Sequence, residues 1–520
     1  MGSLGGLQWV AMALNPEILR FILGIKLRRA RQEKGFGLKE LARRTGVSVS
    51  YLSEIEKGKK HPKPDKLLQL ASALDVAYED LVSPRFEGEL KALREIFESP
   101  FVQEFPFHLY GIELEALFSL LTEAPSKARA LVRTALEIGR LYELEVEHFL
   151  FAALRSYQDL HSNFFAAIEE AAAALRRERG WGEGFVPGPD ELEEVLADVG
   201  ITVDGERLAS DGALSDLRSV WVEESSPPKL LVNGRLLPSQ RAFMMARELG
   251  YRRLGRGERS TTSPPLAVES FDQVISDFEV AYFAGAVLLD RRALVADLEK
   301  IFARRTWSPE DFLALLDKYR ATPETFFYRL SQLLPGDFGL RRLLYARFHH
   351  ARGSGEYRLT KILNMSPLEV PYGLDPQEHY CRRWPGLRLL GDDTESSGSS
   401  GNGVRLAVQH SVFLGGEGPE EDREFFVLSL IRNLALKADT RSSVNLVLGL
   451  DAETRRRLRF LDDPAIPRAE IHLTCERCPL APDECAERAV PARLVAEADH
   501  KEHRQKALDQ LTRELGGDLS

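Results

Sequence analysis

The sequence predicts a mainly α chain whose second half adds an α+β region, divided into several domains. Three observations predict it. The chain has 520 residues, more than one hydrophobic core organises. Residues 21–82 and 86–178 read as helices, with apolar side chains at three- and four-residue spacing. Between residues 404 and 451 that spacing gives way to apolar, β-branched runs that fit strands: VRLAVQHSVFL, EFFVLSLIRNLAL and SSVNLVLGLD. With 44% hydrophobic and 28% charged residues, the composition is that of a soluble globular protein. No apolar run is long enough to span a bilayer, so no membrane partner is expected.

Residues 1–18, beginning MGSLGGLQWVAMAL, have no basic residue ahead of the apolar stretch and are expected to be a disordered extension, not a signal peptide. Residues 19–84 are organised around LKELARRTGVSVSYLSEIEKG (38–58). Leu38, Leu41 and Ala42 share one helical face, and Leu52 and Ile55 repeat the spacing after a turn. Gly46 supplies the φ > 0 of the reversal, Val47 plugs the angle, Ser48 is the N-cap of the second helix and Gly58 ends it. This is a helix-turn-helix pattern, whose second helix enters the major groove of DNA. An ordinary helical hairpin is the alternative, and two features weigh against it. Further helices flank the pair at 21–34, 64–74 and 77–82, with Leu67, Leu70, Ala71, Leu74 and Leu81 as their apolar stripe. Charge is also segregated: Arg20 to Lys63 carries 13 Lys+Arg against 4 Asp+Glu, a local +9, while the whole chain is −10. A basic patch on an acidic chain marks a phosphate-binding surface.

These residues, SYLSEIEKG above all, resemble the XRE family of five-helix, λ-repressor-like DNA-binding domains. Ser48, Val49, Ser50, Tyr51 and Glu54 lie where side chains reach base edges. Arg28, Arg29, Lys39, Lys57, Lys59 and Lys60 are placed for phosphates, which position the protein without reading sequence. Double-stranded operator DNA is the expected partner, a homodimer on two half-sites the expected state, and the cytoplasm the expected compartment.

Residues 85–180 read as a helical linker and dimerisation region. The stretch from about 126 to 178 is expected to form one or two long helices, and ALRSYQDLHSNFFAAIEEAAAAL (153–175) puts Leu154, Tyr157, Leu160, Phe164, Ala167 and Ile168 on one helical face. GWGEGFVPGPDE (180–191) is a Gly/Pro break. In 181–300, a helix (ELEEVLADVG), two strands (SVWVEE, KLLVNGRLL) joined by a Pro-rich turn, and a helix (SQRAFMMARELGYRRLG) follow in order. That order resembles the ImmA/IrrE family of zincin-like metallopeptidase domains. The family's helix carries H-E-x-x-H, two zinc-binding His at i and i+4 and a Glu that activates water. Here the positions are Arg247, Glu248, Leu249, Gly250 and Tyr251, so both His are missing. Glu279, in DFEVAYFAGAVLLD, falls on the segment resembling the third-ligand helix. The resemblance implies a degenerate domain without peptidase chemistry, so no enzyme is expected. Arg247 is expected in a buried ion pair with Glu248 and Glu279. The old cleft, with Arg247, Glu248, Tyr251 and Glu279, is a candidate ligand pocket that offers Arg247 to an anionic group; a purely structural role is the alternative.

Residues 301–375 read as helical: WSPEDFLALLDKY, TPETFFYRLSQLL and FGLRRLLYARFHH. Ser308 and Thr322 are N-cap candidates, each followed by Pro. His349 and His350 lack ligand partners in sequence and are expected on the surface or in packing. GDDTESSGSSGNG (391–403) reads as a flexible loop, and 491–520 as a charged terminal helix that packs or dimerises. The 376–490 domain, a small α/β fold, holds every cysteine: Cys381 in EHYCRRW, and Cys475, Cys478 and Cys485 in CERCPLAPDEC. A C-x2-C pair converges two thiolates on one metal, a third Cys can fold back over it, and Cys381 supplies a fourth from across the sheet. His379 is a reserve ligand. Zinc or an iron–sulfur cluster would suit four thiolates. Arg382, Arg383, Glu476 and Arg477 favour structural zinc, as a rim of ion pairs.

EHYCRRW and CERCPL, with the degenerate peptidase helix and the XRE start, resemble the short-chain fatty acyl-CoA regulator family, to which the RamB regulators belong. The resemblance implies a transcription factor whose C-terminal half is a sensor for an acyl-CoA or related carbon metabolite as small-molecule effector. Two other readings stand beside it: a redox- or metal-responsive regulator with a Cys-ligated cluster, and a metallopeptidase acting on a repressor, which the missing His pair opposes.

Overall fold

Five helices form from residues 16–83 in a computed structural model that describes residues 16–83, 146–268, 270–366, 378–392, 403–415, 423–489 and 492–516. They are α1 (Pro16–Glu33), α2 (Leu38–Thr45), α3 (Val49–Glu56), α4 (Pro64–Leu74) and α5 (Tyr78–Val82). The punctuation read from sequence governs their ends. Gly46 closes α2 at φ 64°, and the Ser48 hydroxyl accepts from the Tyr51 N–H at 3.2 Å. Leu27, Leu41, Val47, Leu52, Ile55, Leu70 and Leu74 make one buried cluster, and Leu23, Leu67, Ala71 and Leu81 a second. Gly24 allows α1 to touch the backbone of α3: a Cβ there would stand 2.5 Å from the Ile55 carbonyl oxygen, closer than atoms approach. The chain divides into two units, Met1–Ala153 and Leu154–Ser520.

Helices α6 (Val146–Leu160) and α7 (Ala166–Glu178) interrupt the one helical face expected over 153–175; the part of the linker before 146 lies outside the described residues. The chain turns at Ser162 and Asn163, both at φ 50°. Asn tolerates this conformation better than most residues, and its fully buried amide is satisfied only in the turn. Gln158 donates to Asn163 Oδ1 at 2.9 Å, and Asn163 Nδ2 donates to Ser331 at 3.1 Å. Tertiary hydrogen bonding overrides the helical pattern here.

After α8 (Pro189–Asp198) come β1 (Thr202–Asp204), α9 (Arg207–Ser210), β2 (Ser219–Val222), β3 (Lys229–Val232), α10 (Pro238–Arg253), β4 (Thr262–Ser263) and α11 (Phe271–Leu288). The small sheet runs β1-β3-β2-β4, with β1 parallel to β3 and the other pairings antiparallel. α11 is buried along almost its whole length. It packs on α10 at Gly250, where a Cβ would lie 3.0 Å from Val280 Cβ.

Next follow α12 (Arg291–Phe302), α13 (Pro309–Lys318) and α14 (Pro323–Asp337). Ser308 caps α13 and Thr322 caps α14 through the N–H groups of Asp311 and Thr325. FGLRRLLYARFHH is not a helix: Leu343–Ala351 is strand β5, joined by β6 (Arg358–Asn364). A strand covered on both faces reads as a continuous apolar run, which periodicity cannot separate from a helix. The remaining elements are α15 (Pro385–Gly391), β7 (Arg405–Phe413), β8 (Glu424–Asn433), β9 (Thr440–Gly449), α16 (Ala452–Arg457), β10 (Arg468–Ile471) and α17 (Ala492–Gly516). The large sheet runs β10-β7-β8-β9-β5-β6, antiparallel except for β10 on β7. One face, with Leu344, Ala346, Phe348, Phe425, Val427 and Val447, packs on Trp384, Leu387 and Leu390 at α15. The other meets α14. His350 is buried, with Nδ1 2.9 Å from the Glu356 carbonyl, which places it in packing and not on the surface.

One buried ion pair ties three helices. Arg329 of α14, 1% exposed, meets Glu169 of α7 through two contacts of 2.5 and 2.9 Å, and Tyr282 of α11 donates to the same carboxylate at 2.7 Å. Burial opposes the Glu169 charge, but Arg329 and Tyr282 more than offset it and hold the carboxyl below its usual range. Glu169→Ala is expected to destabilise the chain by about 3–5 kcal/mol, because it strands the Arg329 charge inside. Denaturant unfolding at neutral pH measures it, and Glu169→Leu combined with Arg329→Met should recover most of the loss. The pair's contribution is present above the unfolded carboxylate value, about 4.3, and is lost as pH falls through the lower folded value.

Candidate functional site

Helix α3 presents its first turn to solvent because Leu52 and Ile55 bury the opposite face. Ser48, Val49 and Ser50 are exposed side by side. Val49 is 40% exposed, an apolar side chain at a helix start that suits contact with a thymine methyl. Ser53, half-buried, continues this stripe one turn from Ser50; its i+3 spacing from Ser50 was the available signal. Tyr51 is half-buried and packs against the core, with Lys60 Nζ 5.8 Å over its ring. Glu54 pairs with Lys60 at 3.0 Å, so these two partly neutralise each other.

The basic rim is smaller than the raw charge count. Arg29 pairs with Glu33 at 2.7 Å. Arg43 and Arg44 share Glu40, at 2.8 and 2.7 Å, and their hydrogen bonds pull that carboxyl down to about 2. Arg31 grips Glu56 at the end of α3 through contacts of 2.6 and 2.9 Å and donates to the Phe36 carbonyl at 2.7 Å. Arg31 thereby clamps α3 to α1. Lys39 and Lys57 are exposed and form no ion pair among the described residues. Lys59 is exposed beside Lys60, and Arg28 is half-buried on α1.

A second site lies at the edge of the large sheet. Tyr380 and Thr474 form an antiparallel bridge, the Cys475 N–H donates to the His379 carbonyl at 2.8 Å, and the Cys381 N–H to that of Leu473 at 3.1 Å. This zips the two cysteine segments together. Cys381, Cys475, Cys478 and Cys485 line one cavity with Arg382, Arg383, His472 and Arg488, and all four are free thiols. Burial pushes the Cys381 thiol up to about 11, against backbone hydrogen bonds from His472 and Arg383. The Ala489 N–H donates to Cys475 Sγ at 3.5 Å. By chemistry, four sulfurs with amides aimed at two of them fit a soft tetrahedral metal. Their geometry is open: among the described residues no three His, Cys, Asp or Glu donors stand close enough together to hold an ion. Glu476 holds His379 Nδ1 at 2.8 Å, which leaves Nε2 open to a ligand, but His379 is not among the residues that line the cysteine cavity. The rim holds different pairs from those expected, Arg477 with Glu378 at 2.5 Å and Arg383 with Glu487 at 3.5 Å. Arg382 instead stacks 3.6 Å over Tyr357.

Arg247, Glu248 and Tyr251 of α10 line a third cavity with Trp221, Met244 and Arg259. Glu279 is not among its lining residues. Asp277 and Glu279 are two apart on α11, about 200° around the helix, so only one can face α10, and Glu279 pairs with Arg256. Arg247 pairs with neither Glu248 nor Glu279. It donates to Asp277 at 3.2 Å and Ser263 at 3.1 Å, and Tyr251, one turn on, donates to the same Asp277 oxygen. Glu248, 2% exposed, takes both nitrogens of Arg259 at 2.9 and 2.6 Å. The Arg259 guanidinium lies 4.5 Å over Trp221 and 4.1 Å over Tyr251. Every carboxylate at this cavity is thus answered by an arginine of the chain. Asp277 and Arg259 escape sequence reasoning, because the pairing is set across helices and loops.

The helix-turn-helix family HTH_3 matches residues 27–81. The chain is similar to the uncharacterized HTH-type transcriptional regulator y4dJ of Sinorhizobium fredii, 39% identical over 69 residues, which are 13% of this chain and 90% of that protein. It is similar to the HTH-type transcriptional regulator SinR of Bacillus subtilis, 36% identical over 69 residues, 13% of this chain and 62% of SinR. A solved Mycobacterium tuberculosis transcriptional regulator covers 66% of this chain and 93% of its own at 19% identity and a TM-score of 0.45.

Lys57→Gln should weaken DNA binding about equally on all sequences and reduce the slope of log affinity against log salt by about 1, measured by titration at several salt concentrations. Ser50→Ala should instead relax preference at individual base pairs by about 0.5–1.5 kcal/mol, the worth of one hydrogen bond, read by competition between operator variants.

Proposed function

Because the chain belongs, through residues 27–81, to the HTH_3 helix-turn-helix family of DNA-binding transcriptional regulators, we propose that it is a dimeric, sequence-specific regulator whose second half responds to a small molecule. The observation that carries the reading is the α3 face, where Ser48, Val49 and Ser50 stand exposed, together with the exposed Lys39 and Lys57, which form no ion pair among the described residues. Two copies on a two-fold operator would set half-sites about one helical turn apart. The effector would bind one arrangement of the second half better and shift the spacing of the two recognition helices. The resemblance to acyl-CoA regulators supports a short-chain acyl-CoA or related carbon metabolite.

In this reading the α10 cavity performs no hydrolysis. At the i and i+4 positions where the metallopeptidase helix would hold a cation, Arg247 and Tyr251 hold Asp277 instead. The guanidinium brings the positive charge that a zinc ion would bring, but polarises no water. The four cysteines would hold zinc as a structural clasp between the 378–384 and 475–485 segments, cross-linking two stretches of chain and deprotonating the thiols. Cytoplasmic placement accords with four free thiols.

Selection of operator DNA from a random pool should return a two-fold sequence, and short-chain acyl-CoA should change its affinity; a ligand-independent affinity would remove the effector part of the reading. Metal analysis of protein purified without oxygen should find one zinc per chain. Cys478→Ser should lose it and lower the melting temperature. A brown protein with iron and acid-labile sulfide would instead make the cysteine cavity a redox sensor.

A further inference from the structure

The large-sheet face that meets α14 is strongly cationic. Register places Arg432 of β8, Ser442 of β9, His349 of β5 and Arg358 of β6 in one row. In the next row on the same face, Arg347 of β5 stands directly opposite Lys361 of β6. Like charges facing each other across a strand pair destabilise it. Lys361 Nζ lies 3.5 Å from the centre of the Tyr328 ring, and Arg347 Nε donates to Thr360 at 2.9 Å. Arg218, in the loop that enters β2, joins them. The exposed Lys437–Asp216 pair at 3.3 Å joins that loop to the β8–β9 turn, and the charges of Arg347, Arg432 and Arg247, opposed by that of Glu324, bear on Arg218.

The carboxylates here are already used. Glu324 takes Arg432 at 2.9 Å, and Asp277 takes Arg247 and Tyr251. Among the described residues Arg218, Arg347 and Lys361 form no ion pair. Burial first, then Arg347, Arg218 and Arg247, push the Lys361 ammonium down to about 7. Nε2 of His349, on the same face, is buried without a hydrogen-bond partner. Arg218, Arg347 and Lys361 are each only half-buried as residues. Cations shielded from water without a counter-charge are costly, and a multiply charged anion removes that cost. Two guanidinium forks match the oxygens of a phosphoryl group.

We propose that this face is a binding site for a multiply charged oxyanion, the phosphoryl portion of a small molecule, held by Arg218, Arg347 and Lys361 beside Tyr328. The site does not rest on the effector reading, since an anion would bind here whether or not DNA affinity changed.

The test uses the full chain and inorganic pyrophosphate, with calorimetric and thermal-denaturation titrations at constant ionic strength and citrate as a non-phosphoryl polyanion. Saturable pyrophosphate binding with a rise in melting temperature is expected, tighter than for citrate. Lys361→Met and Arg218→Met should each weaken it about tenfold or more. Without ligand both variants should melt at or above the parent temperature, because each removes a partly buried charge that forms no ion pair among the described residues. The proposal is overturned by absent or non-saturable pyrophosphate binding, by unchanged affinity in either variant, by tighter binding of citrate, or by variants that melt below the parent before any ligand is added.

Discussion

The buried pair between Arg329 and Glu169 is the constraint on which the larger unit depends. A guanidinium that is 1% exposed tolerates burial only while its carboxylate and hydrogen-bond partners stay in place. Those partners come from three directions: Glu169 on α7, the Leu289 carbonyl beyond α11, and Gln332 on its own helix. The same helix, α14, turns Tyr328 toward Tyr345 and Lys361 on the sheet, and Glu324 toward Arg432. A displacement of α14 would therefore be felt both at the helices behind it and on the cationic sheet face before it. That coupling gives the unit a physical route by which an anion on the sheet could act at a distance.

Charge is handled in a different way in the two units. In the first, arginines near α3 are consumed in short-range pairs that hold the helices together, Arg31 with Glu56 being the tightest, while the lysines Lys39 and Lys57 remain outward. A rigid scaffold carrying mobile, hydrated cations suits a surface that must slide along phosphates before it reads bases. In the second unit the α10 cavity is closed electrostatically, Glu248 matched by Arg259 and Asp277 by Arg247, whereas Arg218, Arg347 and Lys361 at the sheet face form no ion pair among the described residues.

The helix-turn-helix was legible because its signals are local. Gly46, Ser48 and Gly58 act on their own turns, and Leu41, Leu52 and Ile55 follow one period. The cysteine segments were expected to meet, and the backbone bridge between Tyr380 and Thr474 brings them to one cavity; the spacing of the sulfurs did not follow from C-x2-C. FGLRRLLYARFHH misled because Leu, Arg and Ala favour helix locally, whereas β9 and β6 on either side supply the hydrogen bonds that hold it as a strand.

The sequence by itself determined the recognition helix, its caps, the charge segregation around it and the presence of Arg and Tyr at positions 247 and 251. These are properties of neighbouring residues or of residue type. Only the tertiary structure decided which carboxylate each arginine would meet. Arg247 was expected beside Glu248 and Glu279 and instead holds Asp277, and Glu248 holds Arg259, because the α10–α11 packing at Gly250 fixes which side of each helix faces inward. It likewise decided that Arg347 and Lys361, 14 residues apart in the sequence, stand opposite one another, since strand register is set by the whole sheet and not by either strand alone.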